Sequence, residues 1–425
     1  MTRVDLVRRR LAAASALALL APWLPAARAA TRRARVVVVG GGFAGATCAR
    51  ILRRLAPELS ICVIDDQPDM ITGPMSNAML VGLREPASVT RRLDALAREG
   101  IEVVAQAATA IEPDALRVRS ADGGWHAGDR LVVAAGIGLR WDGIEGLDAT
   151  TSDAMPHAWL GRASALEFRR RFDALDARAT VAIIAPPNPY RCPPGPYERA
   201  TLCAWALARR GRGGKVLVCD AKDDFSKRPL FQLAWDTHYP GMVEWIARRA
   251  GGEAIAVDAD GRGVRLAGGE RVRADLVCAI PAQRAADLCL SSNLADDSGW
   301  CPVSAATFAS TRHPRIHVIG DAAIALPMPK SAFAANSQAK LCALALLADL
   351  AGLPAPEPAL VNTCYSLVSP TQAISVSGLY GLAGDRLSAL SEGSSPVTGD
   401  DTLREREAVD AGHWYHSILA DSFGG

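Results

Sequence analysis

The chain has 425 residues, 49% of them hydrophobic and 37 of them glycine, which is enough to bury more than one core and points to two or three domains. Lys and Arg number 47 against 45 Asp and Glu, so the charges nearly cancel, and nothing in their pattern resembles a nucleic-acid footprint. Aromatics make up only 5%, leaving alanine, valine and leucine to fill the cores.

The N-terminus reads as a targeting segment rather than as part of the fold. Arg8-Arg9-Arg10 precedes the apolar run Leu11 to Leu20, and Ala27-Arg28-Ala29 offers a small-residue cleavage site before Ala30. Residues 1–29 are therefore expected to be a twin-arginine-type export signal, which carries folded proteins and suits one that takes up its cofactor in the cytoplasm. The alternative, a membrane anchor, is disfavoured because the apolar run falls short of the ~20 residues that span a bilayer. The expected location is the periplasm, where disulfides persist.

Arg35 to Val39 is a β-branched run followed by Gly40-Gly41-Gly42-Phe43-Ala44-Gly45, a G-x-G-x-x-G turn opening a helix that continues to about Leu55. Leu59 to Asp65 supplies the next strand, ending in an acid about 20 residues beyond Gly45. In this context Gly40 makes the turn, Gly42 admits a pyrophosphate, Gly45 lets helix meet strand, and Asp65 accepts from a ribose hydroxyl. Phe43, Ala44 and Asp66 are counted with them as cofactor-contacting. Asp129 to Gly136 is a strand ending in the small-residue turn Ala135-Gly136, of the sort that closes the first nucleotide domain in flavoproteins with two dinucleotide folds. His317-Val-Ile-Gly320-Asp321 is a late strand, followed by the helix-like Ser331 to Lys340. Asp321 is expected to hold a ribityl chain, and the helix N-terminus beyond it to stabilise negative charge on a reduced isoalloxazine. The bland alternative is that Asp321 caps a helix. Together these elements favour FAD over NAD.

Between them lies a second α/β unit. Val181-Ala-Ile-Ile-Ala185 reads as a buried parallel strand, but the glycine loop due at its end is replaced by Pro186-Pro-Asn-Pro-Tyr-Arg-Cys192-Pro-Pro-Gly-Pro-Tyr-Glu198. Proline has no backbone N–H, so this turn cannot present the amides that cradle a pyrophosphate. A nicotinamide cofactor is therefore not expected. Past Pro354, Pro356 and Pro358 come a strand pair around a turn, residues 361–376, a Gly/Ser-rich stretch with Asp400 and Asp401, and a last helix-like segment with His413, Trp414, Tyr415 and His416.

The fold class expected is α/β: two Rossmann-like three-layer dinucleotide-binding domains of the FAD/NAD(P)-linked reductase type, plus a smaller C-terminal α+β interface domain. Residues 30–145 with 284–354 form the FAD-binding domain, 146–283 the second unit with a degenerate NAD site, and 355–425 the flavin and partner interface. No long amphipathic apolar helix closes the chain, so no membrane span is expected in the mature protein.

Of ten cysteines, none form C-x-x-C or C-x-x-C-H, so neither a zinc ribbon nor a covalent c-type haem is encoded and no metal site is expected. Cys62, Cys219 and Cys278 lie in strand-like runs and Cys48, Cys203, Cys289 and Cys342 in helix-like ones, where free cysteine acts as a small buried hydrophobe. Cys192 and Cys364 stand outside such runs, beside turn-forming residues. The residues alone leave open a redox pair or a structural bridge, with Cys301 in Gly299-Trp-Cys-Pro-Val303 as a rival partner.

Arg191-Cys-Pro-Pro-Gly-Pro-Tyr-Glu198, Gly299-Trp-Cys-Pro-Val303, His317-Val-Ile-Gly-Asp321, Pro327-Met-Pro-Lys-Ser331 with Ala335-Asn-Ser-Gln338, and Asn362-Thr-Cys-Tyr-Ser366 make the chain similar to the flavoprotein subunit of flavocytochrome c sulfide dehydrogenase, including related flavoproteins of sulfur-oxidation clusters. The resemblance implies a redox-active Cys192–Cys364 disulfide beside FAD, sulfide as reductant and a c-type cytochrome subunit as acceptor, in a complex whose stability is left open. Hydrosulfide attacks one sulfur of the pair and leaves a persulfide there, and the displaced thiolate passes electrons to the flavin. Cys192 is assigned the persulfide and Cys364 the flavin-proximal position. Glu198 is the candidate acid/base, against an ordinary helix N-terminal carboxylate. Lys330 is expected to place positive charge near the flavin, against a solvated lysine, and Trp414 to lie near flavin or partner, against a packed aromatic.

Two departures from the family stand out. The segment that in the flavocytochromes carries the flavin-tethering cysteine here reads Asp69-Met-Ile-Thr-Gly73-Pro-Met-Ser-Asn77, so FAD is expected to be non-covalent. Thr371-Gln372-Ala373 replaces an aromatic-glycine pair and puts the fine shape of the sulfide pocket in question. Competing readings are a sulfide:quinone oxidoreductase and a non-catalytic accessory flavoprotein of sulfur oxidation.

Overall fold

A computed structural model describes residues 34–424 apart from 68 and 212; the expected export signal lies outside the described residues. The chain enters through β1 (Arg35–Val39), turns at the glycines into α1 (Phe43–Leu55) and returns through β2 (Ser60–Ile64). β3 (Glu102–Val104) and β4 (Arg130–Val133) extend the same parallel sheet. Val36–Val39 and Ile61–Ile64 are buried without alternation, as a parallel sheet covered on both faces requires. The three-stranded antiparallel sheet Ala108–Glu112, Arg117–Ser120 and Trp125–Ala127 is inserted before β4.

β5 (Ile137–Arg140) leads out of this unit and pairs antiparallel with the strand by which the chain later comes back. The second unit repeats the pattern with β6 (Thr180–Ala185), α2 (Gly195–Arg210), β7 (Lys215–Asp220), α3 (Arg228–His238), β8 (Val243–Ile246) and β9 (Leu276–Ala279). Its sheet order is β8-β7-β6-β9, all parallel. The return strand is β10 (Ala282–Ala285), and β11 (Ile316–Val318) then re-enters the first sheet beside β4, giving the order β11-β4-β1-β2-β3.

α4 (Ala332–Leu350) is longer than the ten residues the sequence suggests and is buried along much of its length, packed on α1. Ser331 caps it, its Oγ accepting from the Ala334 amide at 3.0 Å, a contact that stabilises a helix end by about 1 kcal/mol. The C-terminal unit is an antiparallel sheet of three strands where the sequence suggests two: β12 (Leu360–Leu367), β13 (Ala373–Ala383) and β14 (Arg386–Ser394). The third arm, with Gly393 and several serines, carries little apolar periodicity, so it forms by pairing with β13 rather than by pattern.

α5 (Asp401–Phe423) closes the chain, capped by the Asp400 carboxylate accepting from Leu403 N. It is tied back to the first unit by a buried polar cluster: the Thr47 and Ser422 hydroxyls lie 2.8 Å apart and Asn336 Nδ2 donates to Thr47 at 3.0 Å. Arg50 donates to the Asp421 carbonyl and pairs with Glu99. Among the described residues no helix is long and apolar enough to cross a membrane.

Candidate functional site

One long cavity collects most of the residues singled out in the sequence. Gly40, Gly42, Phe43, Ala44 and Asp65 line it, together with Ala135, Gly136, Gly320 and Asp321 and with Cys192, Glu198, Cys364 and Trp414. The glycine turn follows from backbone sterics. Gly40 sits at φ +93°, where a Cβ would lie 2.4 Å from the Ala134 carbonyl oxygen, and a Cβ on Gly45 would lie 1.8 Å from the Gly40 carbonyl oxygen. Beyond Gly42 the space is open, at the N-terminus of α1, where a phosphate gains from amides and helix dipole together. Asp65 already accepts from the Gly41 and Gln67 amides at 2.6 and 2.7 Å. Burial nevertheless pushes its carboxyl above the usual range, against those two bonds.

On the same wall the proline turn holds Cys192 at φ +56°, with its amide donating to the Lys330 carbonyl at 2.8 Å and its own carbonyl accepting from Gly195 N. α2 begins at Gly195, three residues on, so the helix start is set against the thiol. Cys364 lies mid-strand in β12 and faces the same cavity; both are free thiols in this structure. Burial pushes the Cys192 thiol far up, reinforced by Cys364 and Glu198 and opposed by Lys227 and Arg191.

Glu198 joins the two segments: Oε1 accepts from Leu367 N on β12 at 2.8 Å and Oε2 from Asn77 Nδ2 at 2.8 Å. Burial pushes its carboxyl up, against these two hydrogen bonds and the charges of Lys227 and Arg199. It is thus a half-buried, partly compensated acid on the cavity wall rather than a plain helix-start carboxylate. Trp414 lines the cavity between Phe333, at 6.3 Å between ring centroids, and Tyr365, at 5.9 Å.

Gly45 packs beneath the glycine turn, as its expected role in letting helix meet strand requires, and does not itself line the cavity. Other expectations are corrected. Asp66 is exposed and does not line the cavity. Lys330 is likewise off the wall and not solvated: its ammonium donates to the Asp321 and Ala323 carbonyls at 2.7 and 2.8 Å and stands 3.8 Å over the Trp300 ring. Burial brings it down to about 8, while Asp321 opposes the fall. Gln372 lies outside the cavity lining, its amide donating to Asp401. Cys301 is fully buried beside Cys289 and away from the cavity, which removes it as a partner for Cys192.

In the second unit Asp220 ends β7 where a ribose-binding acid would stand. It is fully buried and spent: Tyr197 Oη donates at 2.6 Å, Lys222 Nζ at 2.6 Å and Trp245 Nε1 at 2.8 Å. The Tyr197 ring stacks on that of Phe225 with centroids 3.6 Å apart. Elsewhere, donor atoms of Cys62, Glu102 and His126 lie within 4.8 Å of one another. Glu102 is paired with Arg35 at 2.8 Å, His126 Nε2 is 2.9 Å from the Ser120 hydroxyl, and burial pushes the Cys62 thiol up to about 12, so the trio is held by other partners.

Three wall residues went unnoticed in the sequence. Arg199, one residue past Glu198 and 1% exposed, donates to the His157 and Ala158 carbonyls, Cys278 Sγ and Asn77 Oδ1, and lies 5.2 Å over the Trp159 ring. Leaving such buried acceptors unsatisfied costs about 1–3 kcal/mol each. Asn77 and Trp159 complete the group. Their only sequence signal is the adjacency of Arg199 to Glu198; nothing local marks the other two.

The wall suits a flavin dinucleotide. Buried Asp321 Oδ1 and Trp414 Nε1 have no hydrogen-bond partner among the described residues, and both belong to the cavity lining. An acceptor and a donor left bare inside a protein are costly unless a ligand answers them. The N-terminus of α4, with Ser331, Ala332 and Ala335, reaches the same wall.

Comparison with known proteins agrees. Residues 165–281 match the family description "Sulfide dehydrogenase [flavocytochrome c] flavoprotein chain, central", residues 356–423 match "Flavocytochrome c sulphide dehydrogenase, flavin-binding", and residues 34–170 match "Pyridine nucleotide-disulphide oxidoreductase". The chain is 49% identical over 45 residues, 11% of its length and 94% of the other sequence, to the "Sulfide dehydrogenase [flavocytochrome c] flavoprotein chain" of Chlorobaculum thiosulfatiphilum. It is 31% identical over 184 residues to the "Sulfide-quinone reductase" of Aquifex aeolicus, a match spanning 43% of this chain and 41% of that reductase. The fold is that of the Aquifex aeolicus sulfide:quinone oxidoreductase structure, with a TM-score of 0.73 at 19% identity covering 92% of this chain and 93% of that one. It is also that of the putidaredoxin reductase complex, at 0.65 and 20%, covering 92% and 99%. These matches support FAD as the cofactor of the glycine-turn cavity. The chain belongs to the family of flavocytochrome c sulfide dehydrogenase flavoproteins.

Proposed function

We propose that the protein is a periplasmic FAD-dependent sulfide dehydrogenase that oxidises sulfide to sulfur or polysulfide and delivers electrons to a c-type cytochrome subunit. One observation carries this reading: Cys192 and Cys364, distant in sequence, share a cavity wall with Asp321 and the glycine turn, and Glu198 bonds across from the helix of one to the strand of the other. In the oxidised protein the two sulfurs form a disulfide. Hydrosulfide attacks Cys192 Sγ, the S–S bond breaks, a persulfide forms on Cys192 and Cys364 leaves as a thiolate. Glu198, whose carboxyl burial pushes up, takes the proton of hydrogen sulfide, and Asn77 keeps it aimed. A bound flavin supplies the capacity to hold two electrons and release them one at a time. Anaerobic sulfide is expected to bleach the oxidised flavin, and the reduced protein to reduce cytochrome c and leave a soluble quinone oxidised. An unbleached spectrum sinks the reading; preferential quinone reduction sinks its acceptor.

The FAD is held without a covalent bond. Gly73 lines the cavity with nothing within 4 Å of a notional Cβ, so the tethering position has room but no thiol. The neighbouring Thr72 hydroxyl is engaged with the Tyr415 hydroxyl at 2.7 Å. Acid precipitation is expected to leave the yellow colour in the supernatant; colour in the protein pellet refutes non-covalent binding.

A further inference from the structure

Lys227, the N-cap residue just before α3, sits in the left-handed region at φ +65°, a conformation that costs a side-chain-bearing residue about 1–2 kcal/mol. Its side chain turns inward and is buried. Nζ donates to Ser366 Oγ at 2.8 Å and lies 3.4 Å from the Ile374 carbonyl, 5.9 Å from the Phe231 ring centre. Among the described residues no carboxylate comes within ion-pair distance of it. An ammonium taken out of water with only a hydroxyl and a carbonyl as partners costs several kcal/mol, a cost that a nearby counter-charge reduces.

Four groups are close enough to act on it: Cys364, Glu198, Cys192 and Glu407. Glu407, on α5, is neutralised by Arg404 at 3.0 Å and accepts from Ser375. Glu198, on α2, accepts from Asn77 and the Leu367 amide and adds a second negative group facing the ammonium. Arg191 adds a second cation on the Cys192 side. Cys364 acts on the Lys227 ammonium more strongly than either carboxylate. Ser366, which holds the ammonium, lies two residues from Cys364 in β12 and therefore on the same face of the strand.

We propose that Lys227 is the buried counter-charge of the Cys192–Cys364 pair, a positioning residue held by Ser366 that stabilises the thiolate left on Cys364 when the pair opens. This rests on the redox role proposed above for the two cysteines. No proton moves in the step: the S–S electron pair goes to Cys364, and the ammonium stays charged beside it. Burial pushes the Cys364 thiol up and the Lys227 ammonium down, and each opposes the other's shift. Removing the cation therefore drives the thiol further up.

The test is alkylation of residue 364 by iodoacetamide in the flavin-loaded Cys192→Ser protein, followed by peptide mass from pH 6 to 10. With Lys227→Met or Lys227→Gln added, the rate at pH 8 is expected to fall at least about 10-fold, an upward shift of about one pH unit. Lys227→Arg keeps the charge and is expected to hold the profile near its parent. Ser366→Ala, which removes only the hydroxyl anchor, is expected to shift it the same way by less, and it serves if both neutral variants fail to load flavin. An unshifted profile in a folded, flavin-loaded neutral variant, or in Ser366→Ala where that variant stands in, overturns the proposal. The redox reading is scored separately: if sulfide fails to bleach the wild-type flavin, that reading falls while the alkylation profile still reports on Lys227.

Discussion

Cys192→Ser is expected to leave the flavin oxidised in the presence of anaerobic sulfide, with a reduction rate at least on the order of 10³-fold below wild type, while dithionite still bleaches it. The serine hydroxyl cannot form the disulfide that hydrosulfide attacks, nor carry a persulfide. Its fit is good, because the Cys192 main chain makes the structural contacts, through its amide to Lys330 and its carbonyl to Gly195, and these survive the change. The lost rate then reports the sulfur and not the turn. Rapid-mixing absorbance at the flavin band checks it, and sulfide-driven bleaching of the serine variant at the wild-type rate would falsify the assignment of Cys192. Cys364→Ser is expected to give the same loss, because neither sulfur forms the bond alone.

Gly45→Ala is expected to strip the protein of FAD and to lower its stability together. The new Cβ would stand 1.8 Å from the Gly40 carbonyl oxygen, and a backbone oxygen cannot swing aside as a side chain does. α1 cannot back away freely either, since Thr47 and Arg50 bind it to the C-terminal helix. Overpacking of this kind costs up to about 3 kcal/mol, and the same loss in cofactor affinity is roughly 150-fold. Gly42→Ala is the control. Gly42 has an ordinary φ of −68° and open space around its notional Cβ, so the methyl meets only what binds there. The Gly42 variant is expected to lose FAD with the melting temperature of the flavin-free protein intact. Flavin content after gel filtration and thermal unfolding separate the two, and a fully yellow Gly45→Ala protein with unchanged melting refutes the packing account.

The apolar β-branched runs, the glycine turn with its acid and the proline replacement of the second loop were all legible from local sequence. Each depends on contacts a few residues apart, where backbone sterics and side-chain period allow few outcomes. The same locality explains why Ser331 was recognisable as a helix start, and why Cys192 and Cys364 stood apart from cysteines in apolar strands and helices. Nothing local could say that Gln372 points away from the cavity, that Lys330 lies under Asp321, or that Cys301 packs on Cys289. Those outcomes depend on which surfaces meet.

The decisive cases are charged groups. Arg199, Lys227 and Asp220 look in sequence like ordinary surface residues at the ends of helices and strands, and all three are buried; Glu198, a candidate acid in the sequence, is half-buried on the cavity wall. A charge can be buried only where tertiary packing brings its partners together, and those partners come from elsewhere in the chain: Leu367 and Asn77 for Glu198, Ser366 for Lys227, Trp245 and Tyr197 for Asp220. Composition and local pattern therefore specified a two-fold α/β flavoprotein with two candidate thiols. The acid that joins the thiols, the cation behind them and the closing of the second nucleotide site were settled by desolvation and long-range pairing, which have no local code.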